Sequence, residues 1–98
     1  MTNLIFTAYC ACHFCCGPNA ANITASGHHP IEGITAAIPR SIPLGTKVSI
    51  SIPGHMTNRI FIGQDRLAKK YDSRVDIFIN DHQRAKNFGI QKGTIKIL

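Results

Sequence analysis

Apolar and polar residues alternate in short stretches along much of the chain, with the period of two that sends successive strand side chains to opposite faces. Leu4 to Tyr9 is apolar and rich in β-prone residues, and Lys47 to Ile52 sets Val48, Ile50 and Ile52 against Lys47, Ser49 and Ser51. Arg59 to Ile62 is a third run. Val75, Ile77 and Ile79 alternate with Arg74, Asp76 and Phe78, and Thr94 to Leu98 repeats the pattern, with Ile95 and Ile97 on one face and Lys96 on the other. Short two-sided strands separated by turns predict an all-β chain folded as a small barrel. Asp81 is placed to cap a short helix running through Phe88. Ala85 and Phe88 share one face of that helix, and Gly89 is placed to end it in a left-handed conformation. Pro39, Pro43 and Pro53 interrupt the middle of the chain, so Ile38 to Leu44 reads as an extended crossing segment that cannot supply a full hydrogen-bond ladder.

Composition narrows the class. A chain of 98 residues with 44% hydrophobic residues suits one compact domain spanning residues 1–98, and disfavours a disordered tail or a coiled coil. Eleven Lys and Arg against five Asp and Glu leave a net charge of +6, which favours anionic polymers: cell-wall polymer, nucleic acid or an acidic membrane surface. The basic residues are scattered, with Lys69 and Lys70 the one adjacent pair, and no aromatic stacking pair sits on a basic strand. Nucleic acid therefore ranks last among the partners. Nothing approaches the roughly 18 consecutive apolar residues of a membrane span. The start, MTNLIFTAY, lacks the charged and apolar regions of a secretory leader, so delivery by another route is expected.

Two features carry candidate chemistry. Asp65 and, eleven residues on, Asp76 lie in or beside strand-like runs, and paired carboxylates on short β-segments are the minimum for acid/base chemistry on a sugar polymer. On adjacent strands they would share a proton, or Asp65 would raise the pKa of Asp76. The bland alternative is that both acids pin barrel loops through hydrogen bonds. The second feature is the CxCxxCC cluster of Cys10, Cys12, Cys15 and Cys16. Four thiols match the ligand count of a tetrahedral structural zinc, with His13 a substitute, and equally allow disulfides or free thiols. No other cofactor is required. Most of the five histidines read as exposed or loop-packing groups, with His82 at a helix start within reach of a groove. Asp72 reads as a turn residue with Ser73.

The series TAYC, CCGPNA, ITASG, AAIPRSIPLGTKV, the isolated QD, RVDIF and DHQRAKNFG, followed by a final β-strand, resembles the 3D domain of bacteria and phages, named for three aspartates. The likeness runs from about Thr7 to Leu98. It implies a six-stranded double-psi β-barrel with one or two short helices, shared with membrane-bound lytic transglycosylase A and with rare lipoprotein A. It also implies action on peptidoglycan glycan strands, with Asp76 as general acid/base and Asp65 as its partner acid. Ile38 stands where the family has its first aspartate, and Arg66 to Lys70 replace a glycine-containing loop. Thr24 and Ser26 match positions at a groove rim, and with Arg66 they are candidate substrate contacts. The missing acid and the bare start also suit an alternative: a non-catalytic phage virion or tail component, assembled with phage structural proteins, or a cell-wall-binding module.

Overall fold

The computed structural model describes residues 2–10, 24, 26–27, 29–67 and 73–98. Six strands are formed: β1 (Thr2–Tyr9), β2 (Thr35–Ile38), β3 (Lys47–Ile52), β4 (Met56–Arg66), β5 (Arg74–Phe78) and β6 (Gln91–Ile97). They close into one barrel in the order β1-β5-β2-β4-β3-β6. Closure leaves no sheet edge among these strands, which removes the usual site of edge-to-edge aggregation. Most pairs are antiparallel, but β1 with β5 and β2 with β4 are parallel.

The alternation seen in sequence becomes a division between interior and exterior. Phe6, Ile38, Ile50, Phe61, Val75 and Ile77 belong to one buried cluster inside the barrel. Each large apolar side chain removed from water contributes roughly 1.5–3 kcal/mol. Two glycines allow the walls to close. A β-carbon on Gly63 would lie 2.1 Å from Ile38 Cδ1, and one on Gly93 would lie 2.5 Å from the Ser51 carbonyl oxygen.

One helix occurs among the described residues, α1 (His82–Phe88). Asp81 caps it from an extended conformation, its carboxylate accepting from the Arg84 backbone N–H at 2.8 Å. Gly89 follows with φ of 67°, and the Ala85 and Phe88 face is buried. The stretch expected to cross the molecule in extended form is different. Its first residue ends β2, and two turns follow, closed by Ile42 N–H to the Pro39 carbonyl at 3.0 Å and by Thr46 N–H to the Pro43 carbonyl at 3.3 Å. Proline preorganises turns as readily as it breaks ladders, and here the turn role prevails.

Candidate active site

The two acids reach one place through strand register. Thr7 of β1 lies opposite Asp76 of β5, Asp76 lies opposite Ala37 of β2, and Ala37 lies opposite Asp65 of β4. Laterally paired residues share a sheet face, so Thr7, Asp76, Ala37 and Asp65 form a row across four strands. The strands of the two acids are therefore not adjacent, contrary to the simplest expectation, because β2 runs between them. Ala37, between them in the row, is buried.

A bulge puts Asp65 in the row. Ala36 pairs with Gly63, yet the next residue, Ala37, pairs with Asp65, so Gln64 is the extra residue on β4. Regular alternation from Phe61 through Gly63 would turn Asp65 toward the core, and one inserted residue reverses its face. The Gln64 carbonyl accepts from Ser26 N–H at 3.0 Å, and its side-chain oxygen accepts from the Thr35 hydroxyl at 2.7 Å. These bonds hold the irregular point.

The environments of the two carboxyls differ. Asp76 is half-buried and accepts from the Thr7 hydroxyl at 2.9 Å. Burial, the largest influence, pushes its carboxyl up to about 6; the Thr7 hydrogen bond opposes this, the Asp65 charge adds to it, and Arg74 opposes it. Asp65 accepts at both oxygens, from the Tyr9 hydroxyl at 3.0 Å and from the Arg66 backbone N–H at 2.9 Å. Asp76 is thus poised to carry a proton near neutrality.

The remaining sequence candidates take varied places. Thr24 is buried, with its hydroxyl 2.9 Å from that of Ser26, and Ser26 docks on the bulge beside Asp65. Arg66 directs its guanidinium to the carbonyls of Ile38 and Pro39, tying the end of β4 to the end of β2. Ile38 is fully buried against Gly63 rather than in the row. Cys10 is buried with its Sγ 3.8 Å from His82 Nδ1. Cys12, Cys15 and Cys16 lie outside the described residues, as do His13, Lys69, Lys70 and Asp72. Among the described residues no group of three or more His, Cys, Asp or Glu is placed to hold a metal ion.

Thr7 and Tyr9 are site residues that the reading of the chain passed over. They are the polar members of the apolar run from Leu4 to Tyr9 and stand two apart, hence on one face, which is the signal that marks them. A cavity of about 690 Å³ lies away from the acids, lined by Leu4, Pro53, Met56 and Gly93 among others, and contains neither Asp65 nor Asp76. Chemistry, not volume, identifies the row as the candidate site. No family model matches the chain, and no curated protein is significantly similar to it.

Proposed function

We propose that the protein acts on peptidoglycan glycan strands in the manner of a lytic transglycosylase, with Asp76 as the general acid/base and Asp65 as its electrostatic partner. The observation that carries this reading is the half-buried Asp76 carboxyl, pushed up to about 6, in one lateral row with Asp65. Protonated Asp76 gives its proton to the glycosidic oxygen as the bond from that oxygen to C1 breaks. The sugar's own 6-hydroxyl then closes on C1, and its proton returns to the Asp76 carboxylate. No water nucleophile is consumed, and the acid is regenerated in the protonated form. A positioned acid/base of this kind contributes roughly 10²–10⁴ in rate.

Two further features support the reading. The parallel pairs β1 with β5 and β2 with β4 each join strands far apart in sequence, as the interlocked loops of a double-psi barrel require. The net charge of +6 favours approach to an anionic wall.

The test is release of 1,6-anhydro-muropeptides from purified sacculi. Product is expected from the unaltered protein and not from Asp76→Asn, with the rate falling as pH rises past about 6, where the acid form is depleted. Absence of product at every pH between about 4 and about 8 would overturn catalysis. Binding to sacculi without product, unchanged in Asp76→Asn, would leave the wall-binding or virion module in its place.

A further inference from the structure

Tyr9 stands on β1, and the carboxylate it bonds stands on β4, two strands that are not neighbours in the barrel. It follows Thr7 by two residues, so it shares the face that carries the acid row. Its partner in register is Phe78 of β5, two residues beyond Asp76 and so on that face too. The two rings meet edge to face, with centroids 5.4 Å apart. On that face the way from Tyr9 to Asp65 leads over β5 and β2, the strands that carry Asp76 and Ala37. A phenol in that position presents its apolar body to the middle of the row and its polar tip to the far acid.

We propose that Tyr9 is the positioning residue of this site, its ring roofing the Asp76 carboxyl against water while its hydroxyl fixes the Asp65 carboxylate at the far end of the row. The inference rests on reading Asp76 as the proton carrier and assigns the side chain that makes it one. Around Asp76, β1 contributes the Thr7 hydroxyl, β4 the charge of Asp65 and β5 the charge of Arg74, while β2 offers uncharged Ala37. Shielding from solvent is the strongest influence on the group. Tyr9 supplies an aromatic surface there, and the hydroxyl sets where that surface lies. Tyrosine joins the two functions because its ring is apolar and its phenol is a donor.

The experiment is a carbon-detected NMR titration of the side-chain carboxyls in the full chain without any glycan, comparing the unaltered protein with Tyr9→Phe, Tyr9→Leu and Tyr9→Ala. Amide spectra identify the variants that keep the fold. In Tyr9→Ala the Asp76 midpoint is expected to drop by about one unit or more as water reaches it. In Tyr9→Phe the ring remains, so Asp76 holds its midpoint while the Asp65 carboxyl resonance moves with loss of its phenol donor. Should Tyr9→Ala not fold, Tyr9→Leu decides, with a smaller drop in the same direction. An Asp76 midpoint unmoved in the folded variant that lacks the ring, or an Asp65 resonance unmoved in Tyr9→Phe, overturns the proposal. Because no substrate is used, an absence of glycan cleavage would count against the function above and leave this result standing.

Discussion

Asp76 is a carboxyl that water would ionise near pH 3.8 and whose pKa the fold raises to about 6. A shift of this size corresponds to a stability difference of up to about 3 kcal/mol, at about 1.4 kcal/mol per unit. The sign follows from proton binding: between pH 3.8 and about 6 the native state holds a proton that the unfolded chain has released. Stability is therefore greatest below the lower value, declines as pH rises through the window, and is level above it. Asp76→Asn is expected to remove this dependence, so that urea unfolding at two pH values across the window differs less in the variant than in the unaltered protein. The groups around the carboxyl give opposite signs. Asp65→Asn removes a like charge and moves the Asp76 midpoint down, whereas Thr7→Val removes a donor to the carboxylate and moves it up, both read by carboxyl NMR titration. Equal displacement in the same direction would contradict the row.

At the scale of elements, the glycines and the helix cap set measurable costs. Gly93→Ala would drive a methyl group into the Ser51 backbone, and Gly63→Ala would drive one into the fully buried Ile38 side chain. Denaturant unfolding should show a loss of about 1–3 kcal/mol for each. Asp81→Ala should cost about 1 kcal/mol through the unmet Arg84 N–H at the start of α1. These elements were legible to different degrees. Lys47 to Ile52 is a strand with the bounds its alternation implies, and the helix begins and ends at its capping residues. β2 was hidden because Thr35, Ala36, Ala37 and Ile38 are buried on both faces, which erases alternation, and because prolines follow at once. The lateral alignment of Asp65 with Asp76 was hidden more deeply. It depends on Gln64 being an extra residue, and no local preference announces a bulge stabilised by the distant Thr35 and Ser26. Sequence spacing alone places two acids; only the third strand between them sets their relation.

For the molecule as a whole, a net charge of +6 on a small barrel makes encounter with anionic polymer dependent on ionic strength. Under the proposed function, retention on sacculi should weaken steadily as salt is raised, while the pH dependence of the proposed cleavage, which arises at a half-buried group, should change little. The order of strands also bears on how the molecule comes into being. β1 is the first strand along the chain, yet both strands that pair with it, β5 and β6, lie beyond residue 73. During synthesis the segment LIFTAY leaves the ribosome long before either partner exists, and such non-local closure is a slow step of roughly milliseconds to seconds. A sticky, unpaired ribbon must wait until residues 74–97 have been made, so fragments ending before Arg74 are expected not to close the barrel.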